Sequence, residues 1–283
     1  MTLSRLLPKL RYRADLRTLG FVVVAWMLLG GAWSGWLRAP LAVAASWLMA
    51  FVCCIVAHNH MHRPVFYGRF WNSLFQLSLM FGSGQPPTGI LTAHNERHHV
   101  HPDSDLDFVR TSLVHSRWNI LNLLAFPFLS IAAMIREKPD DLSAWKISRP
   151  RLYRQALRER AFFYGGVALL LVVDWRATLL FLLLPWLGAQ LLLVGVNLLQ
   201  HQDCETRSEY DHSRNVTGAI TNWLLLNNGY HTAHHLRPSL HWSLLPNFHR
   251  EHVARRINPA LDHRSFIGLL IERLRRPSAP HVR

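Results

Sequence analysis

Residues 39–62 read APLAVAASWLMAFVCCIVAHNHMH, an uncharged apolar run that ends in three histidines at alternate positions. A helix needs about 20 apolar residues to cross the hydrocarbon core of a bilayer. Residues 39–57 therefore predict a membrane-spanning helix, and the histidines begin where the apolar run stops. A helix that continues about one turn further would hold these imidazoles just above the acyl chains.

Three further apolar runs complete two predicted hairpins. The predicted spans are residues 20–37, 39–57, 161–173 and 177–199. Arg38 and Pro40 break the first pair, and residues 174–176 (Asp-Trp-Arg) break the second. We expect an all-α integral membrane protein with four transmembrane helices, forming a single domain over residues 1–283.

Composition supports this class. Half of the 283 residues are apolar and 17% are charged, against about 25% charged in soluble domains, which excludes a disordered tail, a collagen and a small disulfide scaffold. The chain has 31 Lys+Arg against 17 Asp+Glu, and the hairpin tips carry only Arg38 and Arg176 of that basic set. The positive-inside rule then predicts that both termini are cytoplasmic, in a bacterial inner membrane or an equivalent bilayer.

The rest of the chain, residues 58–160 and 200–283, is predicted to form a cytoplasmic helical cap that holds a di-metal histidine site. Membrane topology and contact with anionic lipid explain the excess of basic over acidic residues, so we expect no nucleic-acid partner. The basic tail at Arg273, Arg275 and Arg276 is expected to face solvent or lipid.

Several segments admit a second interpretation. Residues 71–91 break at Gly-Ser-Gly-Gln-Pro-Pro (82–87), and residues 118–135 contain two asparagines and Pro127. We expect both to lie at the cytoplasmic interface or to cap the domain, with membrane spanning as the alternative. A cleaved signal peptide is the alternative for the first run, but its long basic leader argues against it.

Four histidine clusters follow apolar segments. They are His58-x-His60-x-His62, His94-x-x-x-His98-His99, Asn197-x-x-x-His201 and His231-x-x-His234-His235. On an α-helix, residues three and four apart share a face. This spacing predicts that His58 projects with His62, and Asn197 with His201. It also predicts that His94 projects with His98, with His99 close by, and that the three histidines at 231–235 share one face.

Neutral imidazole is the commonest biological metal ligand. A site rich in imidazole and free of thiolate suits iron, copper, nickel or zinc. Nine candidate histidines are too many for one ion and suit two, with His60 as an alternative to His58 or His62. The other histidines are expected to support the ligands or to lie on the surface; they are His101, His115, His212, His241, His249, His252, His263 and His281. Carboxylates that could orient the ligands are Glu96, Asp103, Asp105, Asp107, Asp203 and Asp211.

These clusters resemble the HxxxH, HxxxHH and HxxHH boxes of the membrane fatty acid desaturase superfamily. Some members of that superfamily also carry the extra histidine preceded four residues earlier by asparagine. The resemblance covers roughly residues 20–250. The flanks around His201 and His231, and the stretch Leu240–Pro246 (LHWSLLP), are also similar to bacterial acyl-lipid desaturases.

The resemblance implies a non-haem di-iron enzyme that uses O2 and two external electrons. If the ligand positions of the superfamily are transferred to this sequence, Asn197 reaches a metal through water. The direct metal ligands are then His58, His62, His94, His98, His99, His201, His231, His234 and His235. The implied substrate is a fatty acyl chain carried by a phospholipid, an acyl-CoA or an acyl carrier protein. The HPGG motif of a fused haem donor is absent, so electrons are expected from a separate ferredoxin, rubredoxin or cytochrome.

Desaturation is the leading expectation. The same superfamily also hosts hydroxylation, ketolation and decarboxylation to a terminal alkene, and the motifs do not decide among these reactions. A non-enzymatic metal transporter would need ionisable residues inside the spans. The four runs contain no Asp, Glu, Lys or Arg.

Overall fold

The computed structural model describes residues 8–137 and 141–277. The chain is mostly helical and divides into two compact units. The first unit comprises Met1–Leu91 and Leu142–Gln190, and the second comprises Thr92–Asp141 and Leu191–Arg283. His281 and the predicted domain's outermost residues, 1–7 and 278–283, lie outside the described residues.

The helices of the first unit include the first predicted hairpin. They are α1 (Asp15–Trp33), α2 (Pro40–His62), α3 (Arg69–Ser83), α4 (Thr88–Ile90), α6 (Asp141–Ser148) and α7 (Pro150–Thr178). Helices α1 and α2 pack against each other, and the turn between them occupies residues 34–39. Helix α2 continues beyond residue 57 to His62, as expected, because nothing in its sequence terminates the helix at the end of the apolar run.

The second hairpin reverses at Asp174, whose backbone is non-helical at φ −153° and ψ 93°. The Asp174 carboxylate accepts a hydrogen bond from the Ala177 N–H at 2.9 Å, and the Thr178 hydroxyl donates to the Leu170 carbonyl at 2.9 Å. In a straight helix, residues eight apart are separated by about 12 Å. The chain therefore folds back at the predicted break, and a π-helical turn at Leu179–Leu183 leads into α8 (Leu184–His201).

Four helical stretches in the described part of the chain are long and apolar enough to cross a membrane. They are Asp15–Trp33, Pro40–His62, Asn119–Arg136 and Pro150–His201. The third and fourth predicted spans both fall within the last of these. Helix α5 (Asn119–Glu137) runs through Pro127 without a break, so it is long enough to cross a membrane. Its location at the cytoplasmic interface stays a prediction.

The predicted break after residue 82 is confirmed at Gly84. Helix α3 ends at Ser83, and Gly84 adopts φ +73°, a left-handed conformation that favours glycine. A Cβ atom at this position would collide with the side chain of Trp186. Trp186 in turn donates its indole N–H to the Phe81 carbonyl at 3.1 Å. The glycine thus allows this tryptophan to pack directly on the turn.

The second unit is built from short elements. It contains a π-helical segment (Leu91–His98), α5, the end of α8, α9 (Ala219–Leu224), α10 (His231–Leu236), α11 (Leu245–Phe248) and α12 (Phe266–Arg275). Two short strands, β1 (Asn215–Val216) and β2 (Asp262–His263), pair in parallel, with Asn215 opposite Asp262.

The C-terminal helix α12 is anchored in the second unit rather than solvated along its length. The Asn119 amide donates to the backbone carbonyls of Arg273 at 2.8 Å and Arg276 at 2.7 Å. Arg273 is buried and forms an ion pair with Asp203. The expectation of an exposed basic tail is therefore wrong for Arg273, because the Asp203 carboxylate neutralises its charge inside the unit. The expectation is correct for Arg275 and Arg276, which are exposed.

Candidate metal centre

Four histidines of the second unit form a compact cluster, here called the four-histidine group. They are His98, His201, His231 and His235, and their ligand nitrogens all lie within 4.8 Å of one another. The Nε2 atom of His231 is 2.8 Å from that of His201 and 3.1 Å from that of His235. These rings come from the π-helical segment, the last residue of α8 and the helix α10.

Hydrogen bonds indicate which nitrogens carry the lone pairs in two members of this group, His98 and His201. His98 Nδ1 donates to the Asp107 carboxylate at 2.8 Å, and His201 Nδ1 donates to the His212 carbonyl at 3.1 Å. A neutral imidazole that donates through Nδ1 has its lone pair on Nε2. The Nε2 atom of His98 is buried and has no hydrogen-bond partner in residues 8–137 and 141–277.

Convergent lone pairs without a donor between them are unfavourable in a buried site. A metal cation accepts several such lone pairs at once, and ligating imidazoles typically donate their other N–H to a carboxylate or a carbonyl. The four-histidine group has this donor set, so the residues present fit a metal ion.

Burial keeps two of these imidazoles, His231 and His235, neutral. Desolvation, assisted by the neighbouring His201, holds the pKa of His231 well below its ordinary value. Desolvation, assisted by His231, does the same to the pKa of His235. Near neutral pH both rings are therefore unprotonated, which is the form that binds metals.

A second cluster, here called the three-histidine group, lies in the same unit. It consists of His94, His99 and His234; the Nε2 atom of His99 is 2.9 Å from that of His94 and 3.0 Å from that of His234. The ring centroids of His99 and His235 are 4.4 Å apart. The two groups are thus neighbours, as a bimetallic centre requires.

In the first unit, His58 and His62 end helix α2 with their ring centroids 4.8 Å apart. They project together, as their spacing predicts. His60 is buried elsewhere in that unit, where its Nδ1 accepts the Val65 N–H at 3.3 Å and its ring packs against Phe75. The alternative that His60 replaces one of its neighbours therefore gains no support.

The rings of His94 and His98 stack with their centroids 5.3 Å apart, so these residues project together as their spacing predicts, but their ligand nitrogens belong to different groups. The segment Leu91–His98 is π-helical, and the His99 N–H donates to the His94 carbonyl five residues earlier. A π-turn aligns residues i and i+5 rather than i and i+4, so His94 meets His99 while His98 joins the other group. In α10, likewise, His231 and His235 belong to one group and His234 to the other.

Asp107 occupies the position predicted for an orienting carboxylate. Besides His98, it accepts the backbone N–H groups of Asp103 at 3.1 Å and Val109 at 3.0 Å. Burial works to raise its pKa, but the bonds from His98 and the backbone outweigh this effect and lower it. Asp107 is therefore an anion that fixes the His98 ring.

The other predicted supports have different partners. Asp203 pairs with Arg273, and Asp211 accepts the Asn258 N–H at 2.7 Å. The Asn197 amide donates to the Val109 carbonyl at 3.3 Å, so its contact with a metal through water stays a prediction.

Sequence reasoning missed the buried segment that connects α8 to α10. The Asn215 side chain accepts the Thr232 N–H at 2.9 Å and donates to the Thr232 hydroxyl at 3.1 Å. Ser213 bonds the same hydroxyl at 2.9 Å. A short run of polar residues ordinarily signals a surface loop, and no periodicity reveals that this one is buried against the histidines.

Residues 32–264 match the family model described as fatty acid desaturase. This range contains all ten predicted site residues and both histidine groups. No curated protein and no solved structure matches the chain. Because the match spans well over half of the sequence, the chain belongs to the fatty acid desaturase family.

Proposed function

We propose that this protein is a membrane-bound, O2-dependent fatty acyl desaturase that uses two irons and external electrons to introduce a C=C bond. Two adjacent imidazole groups in a member of the fatty acid desaturase family carry this proposal. Family membership supports an oxidoreductase, a fatty acyl substrate and a membrane environment.

All nine box histidines are proposed as iron ligands, with Asn197 contributing through water. The donor chemistry of the four-histidine group supports this assignment for His98, His201, His231 and His235. The close nitrogen contacts of His94, His99 and His234 support it for the three-histidine group. His58 and His62 are included because the family resemblance assigns them and their rings lie side by side.

Bound iron would supply the reduction of O2 that removes hydrogen from an unactivated chain. In the overall reaction, two adjacent methylenes lose one hydrogen each, and O2 with two electrons and two protons forms two waters. The protein contributes ligands that survive this chemistry, because imidazole resists oxidation where thiolate does not. Its carboxylate and carbonyl acceptors hold those rings in place.

The acyl chain has no polar group at the reacting carbons that the protein could recognise. Its binding must therefore come from apolar burial, at about 0.8 kcal/mol per methylene. The head group is proposed to be a phospholipid, an acyl-CoA or an acyl carrier protein, and the donor a separate ferredoxin, rubredoxin or cytochrome. The charge bias of the sequence supports cytoplasmic termini and a cytoplasmic site, in a bacterial inner membrane or an equivalent bilayer.

The test is lipid profiling of a host that expresses the chain and is fed isotopically labelled saturated fatty acids. We expect a product lighter by two hydrogens, and purified protein that holds about two irons per chain. The variant His234→Ala should lose both product and iron. The variant His252→Ala, at an imidazole whose side chain is 49% exposed, is the matched control and should keep both.

Oxidation retained by His234→Ala would contradict the ligand assignment. A labelled product that gains oxygen would show that the reaction is hydroxylation or ketolation rather than desaturation. A product that loses its carboxyl carbon would show that the reaction is decarboxylation.

A further inference from the structure

His212 is a buried imidazole beside the four-histidine group, although it is not one of the box histidines. Its ring centroid lies 5.3 Å from that of His235. Its backbone carbonyl accepts the His201 Nδ1–H at 3.1 Å. The main chain of His212 therefore bonds one member of the group, and its ring lies next to another.

The free nitrogen of this ring is an acceptor. His212 Nδ1 donates to the Ser208 carbonyl at 3.2 Å, so the neutral ring has its lone pair on Nε2. The Nε2 atom is buried and has no hydrogen-bond partner within the described ranges, 8–137 and 141–277. Buried polar atoms of this kind normally bond to a water or an ion.

His212 is held too far away to be a direct ligand of the same ion. It does not belong to the set whose ligand nitrogens lie within 4.8 Å of one another. Its position is also fixed, because the next residues bind α10 directly: Ser213 bonds the Thr232 hydroxyl, and Asn215 accepts the Thr232 N–H. Thr232 follows the ligand His231, so the ring and the group share one rigid support.

We propose that His212 holds an ordered water molecule against the metal of the four-histidine group, with its Nε2 as the acceptor. Four imidazoles leave at least one coordination position open on a five- or six-coordinate metal ion. Water in that position has two hydrogens to donate, and the buried Nε2 accepts one. The inference rests on the metal centre proposed above and adds a positioning residue to it.

The test uses the purified full-length protein loaded with Co2+, whose visible absorption reports coordination number, and titration with azide, which displaces a bound water. His212→Phe removes the acceptor and keeps the ring volume. His212→Gln restores an amide oxygen as acceptor. His249→Phe is the matched control, because His249 is also buried in this unit and pairs with Asp262 outside both groups.

Loss of one hydrogen bond to the water should let azide bind about three- to tenfold more tightly in His212→Phe. About one of the two Co2+ ions should change to a lower coordination number, and the absorption spectrum should change accordingly. His212→Gln and His249→Phe should retain the wild-type spectrum and azide affinity.

A His212→Phe protein with the wild-type spectrum and azide affinity would overturn the inference. So would folded His212→Phe and His212→Gln proteins that both lose one Co2+, since that result would make His212 a direct ligand. Failure of the wild-type protein to bind Co2+ would instead count against the metal centre itself.

Discussion

The cores of the two units differ in chemistry. In the first unit, every residue of α2 from Met49 to Ala57 is apolar and buried. In the second unit, the segment Ser213–Asn215 is just as buried and entirely polar. Arg214, for example, donates to the carbonyls of Leu199 and Gln202. The stretch of the first unit is stabilised by packing, whereas the segment of the second unit depends on a specific partner for each polar group.

This contrast has a physical consequence. A well-packed apolar core tolerates small changes of shape at modest cost. A buried polar network does not, because removal of one partner leaves the other desolvated and unpaired. Substitutions that touch no ligand should therefore disturb the two histidine groups of the second unit when they lie in its polar network, and leave those groups intact when they lie in the apolar stretch of α2.

The largest effect is expected for Asp107→Ala. It removes the acceptor of His98 and of two partly buried backbone N–H groups, those of Asp103 and Val109. Loss of a carboxylate that orients a metal-binding histidine typically lowers metal affinity by about 10- to 100-fold. Competition with a chelator would measure this change. Asp105→Ala is the control, since that carboxylate is exposed and lies 3.9 Å from Arg110; equal affinities for the two variants would refute the role of Asp107.

Gly229→Ala should destabilise the protein by about 1–3 kcal/mol. An added Cβ would meet the Val216 carbonyl and, at 2.7 Å, the Asn222 amide oxygen, just before α10 begins. The matched variant in the first unit is Gly20→Ala, where nothing lies within 4 Å. That variant should be neutral or slightly stabilising, because alanine favours a helix interior. Thermal unfolding in detergent would compare them, and equal midpoints would remove the contrast between the units.

Thr232→Val should cost about 1–2 kcal/mol. It deletes the hydroxyl shared by Ser213 and Asn215 and leaves both without that partner. Ser46→Ala in α2 provides the comparison, because the Ser46 hydroxyl bonds the Val43 carbonyl of its own helical turn, at 2.7 Å. Chemical denaturation of the two proteins should show the larger loss for Thr232→Val; the reverse order would contradict the network interpretation.

The smallest effect near neutral pH concerns proton binding by the metal-free protein. The unfolded chain protonates His231 and His235 near the ordinary pKa of 6.5, whereas the folded chain resists protonation because burial lowers both values. Stability should therefore be fully present above pH 6.5 and fall as the pH drops below it. Each group contributes up to about 1.4 kcal/mol per pH unit. Melting temperatures across pH 5 to 8 would measure this slope, and His252→Ala should leave it unchanged.

The sequence predicts the parts of this molecule that local rules determine. The end of α2 carries His58 and His62 on one face because an uninterrupted α-helix has a fixed period. The reversal at Asp174 is marked by two charges in an otherwise apolar stretch. The family boxes likewise identified all seven histidines of the two groups in the second unit.

The parts that were missed depend on tertiary structure. The assignment of His98 to one histidine group and of His94 and His99 to the other needs the π-turn, which the ordinary helical period does not predict. The place of His212 follows from the polar bonds between Asn215 and Thr232, residues 17 positions apart. The burial of Arg273 needs Asp203, which lies 70 positions earlier in the chain.

The adjacency of His98 and His99 has a mechanical consequence. One planar peptide unit joins a member of the four-histidine group to a member of the three-histidine group, and the main chain there is also held by the bond from the His99 N–H to the His94 carbonyl. When the first ion orders one of these rings, the backbone of the neighbouring ring is ordered as well, so the second ion binds at a smaller entropic cost. We therefore expect the two sites to fill together, with a steep loading curve in place of two separate steps.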